Sequence, residues 1–129
     1  MLPRKTKQKT VISGVLEETG RPMSPSEVLV AAQKTVPRLS IATVYRVLRG
    51  LVEEGAVVPV PVPGEADRYE TRGRASHHHH HFLCDSCHRV FDVPGCGLKV
   101  EAHLPGGFIL SRHEVMLYGN CDQCLATSV

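Results

Sequence analysis

Four of the five cysteines stand in two identical pairs, Cys84-x-x-Cys87 and Cys121-x-x-Cys124. Two such pairs on hairpin-like turns supply four soft thiolates, the closed tetrahedral set that zinc prefers, with no position left open for a substrate. A structural four-cysteine zinc site is the reading; either pair taken alone would also suit a redox dithiol. The need for such a staple follows from size. At 129 residues and 42% hydrophobic, the chain can build one ordinary domain or two very small ones, each with a limited core. Thiols used in this way imply a reducing compartment. The fifth cysteine, Cys96, reads as a spare thiol.

The segment before the cysteines is patterned as helices. Arg4, Lys5, Lys7 and Lys9 form a basic opening, after which Val11, Ile12, Val15 and Leu16 recur at helical spacing until Gly20. Ser24-Pro25-Ser26-Glu27 combines an N-cap, a proline suited to the first helical position and the glutamate of a capping box, so a second helix starts there and ends before Pro37. Ser40 caps a third helix, in which Ile41, Val44, Leu48, Leu51 and Val52 make an apolar stripe and Gly55 marks the end. Its other face carries Thr43, Arg46 and Arg49. From Ala56 the run VVPVPVPGEADRYET predicts a two-stranded wing turning at Gly64, whose prolines confine the first strand to an edge. The short basic stretch 71–76 reads as a hinge between a unit 1–70 and a unit 77–129. In the latter, HFLCDSCHRVFDV and FILSRHEVMLYG look like strands, and the segment between them holds at most a short helix.

His77 to His81 form an unbroken run entering a strand. Alternate strand residues face opposite sides, so His77, His79 and His81 share one side while His78 and His80 share the other, and one run can serve two sites. A purification tag is the bland alternative, set aside because the run is internal and abuts FLCDSC. Glu70, Asp92, Glu101 and His113 are candidates to complete mixed nitrogen and oxygen sites, a ligand type that suits Fe(II), Mn(II), Zn(II) and Ni(II) alike.

Charge separates the halves. Residues 1–74 hold 12 Lys+Arg and 8 Asp+Glu, residues 75–129 hold 3 and 5, so the halves carry +4 and −2. A basic helical half with a wing fits a polyanionic partner. No apolar run approaches the ~20 residues that cross a bilayer, and the N-terminus lacks the apolar core of a signal peptide. A cytoplasmic protein with no membrane partner is therefore expected. Three functional classes compete: a metal-dependent DNA-binding repressor; a small metal hydrolase with Glu70 or Asp92 as base; and a His-rich metal buffer or chaperone. The hydrolase reading lacks a substrate-cleft motif, and no small-molecule substrate is expected. The buffer reading leaves the capped helices and wing without a purpose.

Taken in order, the opening RKTKQK, then SIATVYRVLRGLVEEG, RYET, HHHHHFLCDSCHRVFD and RHEVMLYGNCDQC resemble the ferric uptake regulator (Fur) family over nearly the whole chain. The resemblance implies an α+β protein: an N-terminal winged helix-turn-helix domain, then a small α/β dimerisation domain with the four-cysteine zinc site. It implies a homodimer that binds palindromic, AT-rich double-stranded DNA operators of metal-homeostasis genes and represses them when metal is bound. By position it places Arg4, Lys9, Thr43, Tyr45 and Arg46 at the DNA, with Tyr45 bordering the apolar stripe. It assigns Glu70, His79, His81 and Asp92 to a regulatory hinge site and His78, His80, Glu101 and His113 to a second site, His80 standing where many relatives have Asp. A hinge-site histidine usual before the second helix is missing, with Pro22 at or near its position. Peroxide-sensing relatives have Asp where Glu70 stands, and zinc-sensing relatives have a Cys shortly before the His run, which is absent here. Fe2+ or Mn2+ therefore leads as the regulatory metal, and Zn2+ follows.

Overall fold

A computed structural model describes residues 3–75, 79–94 and 103–127. The chain divides into two compact units between His77 and His78.

In the first unit, helix α1 spans Arg4–Thr19 and stops at Gly20, whose φ of 70° is the left-handed conformation that a C-terminal glycine adopts without strain. The basic opening forms the first turns of this helix. Lysine, arginine and glutamine are good helix formers, and nothing in RKTKQK interrupts the helix. Gln8, Ile12 and Leu16, one turn apart, form its buried face. Helix α2 (Pro25–Ala32) has the full reciprocal cap: Ser24 Oγ accepts the Glu27 N–H at 3.1 Å, and Glu27 Oε1 accepts the Ser24 N–H at 3.1 Å. Arg21 closes on the other carboxylate oxygen at 2.5 Å. Helix α3 (Ile41–Glu53) starts where the Ser40 hydroxyl accepts the Thr43 N–H at 3.2 Å.

Val44, Leu48 and Leu51 of α3 pack with Ile12, Leu16, Val28 and Leu39 into one core. The apolar stripe is longer than the core it serves. Ile41, expected inside, is 39% exposed at the helix start, and Val52 is only partly buried. Strands β1 (Val57–Val60) and β2 (Arg68–Thr71) pair antiparallel, Val57 opposite Thr71, and the wing turns through Gly64. Met23 exchanges two backbone hydrogen bonds with Tyr69, 2.9 and 2.8 Å, which pins the segment before α2 to β2. A single helical turn, α4 (Arg72–Ala75), follows, and the Arg72 side chain and N–H bond the carbonyls of Gly55 and Ala56.

The second unit is a mixed sheet of order β4-β3-β5. Central β3 (His79–Cys84) pairs antiparallel with β4 (Val90–Pro94) and parallel with β5 (Met116–Gly119). A Cβ at Gly119 would lie 3.1 Å from the Phe82 ring, so any larger residue there would require the ring to give by a few tenths of an ångström. The strand expected across FILSRHEVMLYG is confined to its last four residues. Parallel pairing with β3 begins only at Met116, and Phe108 and Ile109 upstream are exposed. A short helix, α5 (Asp122–Thr127), ends the described chain and was not anticipated; six residues are too few to show a helical period. Among the described residues no helix is long and apolar enough to cross a membrane.

Because the capping box fixes the entry to α2, Ser24→Ala should cost about 1 kcal/mol of stability. Val30→Ala, at an exposed site on the same helix, should change it by less than about 0.5 kcal/mol. Urea unfolding followed by far-UV circular dichroism checks both values.

Candidate metal centre and nucleic-acid interface

Two turns bring the four paired cysteines together. Cys84 ends β3, and the turn to β4 is closed by the Cys84 N–H on Arg89 O at 3.0 Å and the His88 N–H on Cys84 O at 2.9 Å. His88 takes a φ of 60° there. On the facing side Cys121 precedes α5 and Cys124 lies in its first turn. Asp85 N–H donates to Gly119 O at 2.7 Å, Ser86 Oγ to Asn120 Oδ1 at 2.7 Å and Arg89 to Gln123 Oε1 at 2.9 Å, so the turns are joined around the thiols as well as through them.

All four Sγ atoms lie within 4.8 Å of one another, and none is in a disulfide. Cys84 and Cys124 are 3.6 Å apart, Cys87 and Cys121 3.9 Å. Four thiolates about 2.3 Å from one zinc ion sit about 3.8 Å apart in a tetrahedron, so the cluster has the dimensions of such a site. The N–H groups of Cys87 and Cys121 point at Cys84 Sγ (3.5 and 3.4 Å). They hold its thiol down at about 6 from an ordinary value near 9. Cys124 is pushed up to about 12, first by hydrogen bonding with Cys121 and then with Cys84, and burial raises Cys87. One ready thiolate beside thiols that resist ionising is a set that a dication completes, by displacing their protons.

Within the histidine run, His80 and His81 of β3 can be placed, one on each face of the strand. His81 stands opposite Asp92 across β3 and β4, its Nε2 3.4 Å from Asp92 Oδ1. Two ligand atoms each about 2.1 Å from a shared ion at a tetrahedral angle would lie about 3.4 Å apart, so this pair also fits a metal. His80 is buried on the other side, its ring 5.1 Å from that of His113, and its Nδ1 accepts the Val115 N–H at 3.2 Å. That bond puts the proton of the neutral ring on Nε2. His79 lies at the start of β3 in register with Pro94. In the first unit Glu70 is buried in β2, 2% exposed. His78, Glu101, His77 and Cys96 lie outside the described residues. Pro22, where a ligand was missing, is fully buried, and its neighbours are engaged, Arg21 by Glu27 and Met23 by Tyr69.

On α3, Tyr45 and Arg46 are exposed, so Tyr45 is not a core residue. Arg46 reaches the buried Gln8 of α1 at 3.5 Å. Thr43 is partly buried, and its Oγ1 accepts from the Ser40 hydroxyl at 3.0 Å. Lys9 pairs with Glu54 at 2.5 Å, an exposed link between α1 and the end of α3 whose 45-residue separation hides it from sequence reading. Arg4 is exposed in the first turn of α1. Tyr69 of the wing is raised above the ordinary phenol value, first by burial and then by Asp67 and Tyr45 against Arg49, so it remains a neutral donor.

A winged helix with a charged, exposed third helix, followed by a unit built on convergent thiols, defines a metal-binding, DNA-binding regulator. Residues 3–118 match the model of the ferric uptake regulator family. The chain belongs to that family, whose members are transcription regulators and not enzymes. The peroxide operon regulator of Bacillus subtilis is 28% identical over 125 residues, spanning 94% of this chain and 83% of that protein. The transcriptional regulator FurA of Mycobacterium tuberculosis is 33% identical over 107 residues, 80% of this chain and 71% of that protein. A solved zinc-bound manganese uptake regulator superposes with a TM-score of 0.75 at 27% identity, over 92% of this chain and 91% of that one.

Zinc uptake by metal-stripped protein at pH 7 should release protons from Cys87 and Cys124, measurable in a pH-stat. Cys84→Ser should abolish tight zinc binding and strip hydrogen-exchange protection from residues 79–94 and 115–127 while helices α1 to α3 keep theirs. Protection unchanged in the second unit would show that the thiols do not hold it.

Proposed function

We propose that the chain is a cytoplasmic, homodimeric, metal-dependent repressor of metal-homeostasis genes, with Zn2+ held by Cys84, Cys87, Cys121 and Cys124. Regulatory metal binds Glu70, His79, His81 and Asp92, with Fe2+ or Mn2+ favoured and Zn2+ next. The observation that carries the gated reading is the 3.4 Å approach of His81 Nε2 to Asp92 Oδ1 in a unit joined directly to the one that bears α3. The mixed nitrogen and oxygen donor set suits those cations, and the relatives include a peroxide operon regulator and a manganese uptake regulator. Metal promotes repression by binding the DNA-competent arrangement of the dimer better than the alternatives.

The unit 1–70 meets a palindromic, AT-rich operator through α3, with Tyr45 and Arg46 at base edges and Thr43, Arg4 and Lys9 at or near the backbone; the stretch 71–76 is the hinge to 77–129. Lys9 must exchange Glu54 for phosphate, a small cost for an exposed pair. His78, His80, Glu101 and His113 form a second site. Ligation through either nitrogen of His80 requires it to give up the Val115 hydrogen bond or the proton that this bond places on Nε2.

Zinc-loaded protein titrated onto a palindromic, AT-rich upstream fragment at fixed salt, with Fe(II), Mn(II), Zn(II) and Ni(II) in turn, tests the proposal. One metal should raise affinity by roughly 5- to 150-fold, the range of ordinary allosteric coupling. Arg46→Ala should lose about 1–3 kcal/mol of the specific binding. Equal affinity with every metal and with none would overturn metal gating.

A further inference from the structure

The first turn of α3 holds an apolar feature that the core leaves unused. Ile41 and Tyr45, four residues apart and so on adjacent turns of one face, are 39% and 45% exposed. Arg49 continues the same row one turn further on. Around them, residues 34–52 carry Lys34, Arg38, Arg46 and Arg49 without one Asp or Glu, and all four cations are exposed. An apolar step ringed by cations is complementary to a polyanion that presents apolar groups, a description that fits the major groove of thymine-containing duplex DNA.

The hydrogen-bonding groups of the same turn point to the same partner. Ser40 Oγ and Thr43 Oγ1 bond each other at 3.0 Å, and Ser40 Oγ also accepts the Thr43 N–H, so both hydroxyls are engaged in the cap. What the exposed Ile41 side chain offers to a base edge is hydrocarbon. In helix-turn-helix docking the N-terminal residues of the recognition helix are those that meet base edges. The apolar group that a base pair displays in the major groove is the C5-methyl of thymine. Isoleucine is branched at Cβ and stiff at χ1, so it loses little freedom on making that contact.

We infer that Ile41 is a specificity-determining residue that packs on a thymine C5-methyl group in each operator half-site, with Tyr45 completing the apolar step. This rests on the DNA-binding reading above. It adds a means of preferring thymine that needs no hydrogen bond.

The test uses full-length, metal-loaded protein and an operator duplex in which each thymine in turn is replaced by deoxyuridine, removing only the methyl. Wild-type protein should lose about 3- to 5-fold in affinity per contacted methyl, the worth of one buried carbon. Ile41→Ala should bind the normal operator correspondingly more weakly and be indifferent to deoxyuridine at the position where wild type is sensitive. Val30→Ala, at an exposed apolar site on α2, should behave as wild type, and unchanged far-UV spectra should show that both variants fold. An Ile41→Ala protein that keeps full sensitivity to every replacement, or binds the normal operator as tightly as wild type, overturns the inference and leaves the repressor reading intact. Failure of wild type to bind any duplex with any metal overturns both.

Discussion

The second unit depends on the convergence of four sulfur atoms. Among its described residues the buried apolar side chains besides Cys84 and Cys121 are Leu83 and Val90. Two aliphatic side chains contribute about 3–6 kcal/mol on burial. Structural zinc in small modules binds with an apparent ~10–16 kcal/mol, which becomes folding energy because the site does not exist in the unfolded chain. Zinc held by these four thiols would outweigh the burial of those two side chains. β3 delivers Cys84, the turn to β4 delivers Cys87, and β5 with α5 delivers the other pair. The parallel placement of β5 beside β3 brings the second pair to the first.

The first unit is organised by an ordinary core and local caps, and the exposed face of α3 is where those rules stop being obeyed. The stripe of α3 continues to Ile41 after the core has ended, and Tyr45 is exposed beside it. Hydrocarbon left in water is unfavourable in the isolated protein, so the first turn is better satisfied in a partner's groove than alone. Arg46 is steadied by Gln8, a buried polar residue in line with Ile12 and Leu16. A glutamine in an apolar position of α1 thus helps to present a cation on α3.

What could be read from the sequence was chemistry acting over a few residues. The Ser24 and Ser40 caps, the stop at Gly20 and the Gly64 turn are all settled within one helical turn or one loop, and the paired cysteines announce their geometry by spacing. Features dependent on distant residues were not legible. The Lys9–Glu54 pair spans 45 positions. The limit of β5 is set by where β3 can pair, and the exposure of Ile41 is set by where α1, α2 and the wing end. Periodicity marks a residue as apolar on one face; it does not say whether anything packs against that end of the face.

The two kinds of metal ligand differ in what they can control. Cys84, Cys87, Cys121 and Cys124 all belong to one compact unit. An ion they hold is bound equally well whatever the other unit does, and a ligand with no preference between two states shifts neither, however tightly it binds. Such an ion can stabilise the fold but cannot gate DNA binding. The set proposed for the regulatory metal, Glu70 with His79, His81 and Asp92, would take one donor from the first unit and three from the second. The affinity of such a set would depend on how the units are disposed, and by linkage its metal would bias that disposition. On the proposed assignment, division of the donors between units, rather than their strength, would make one site structural and the other regulatory.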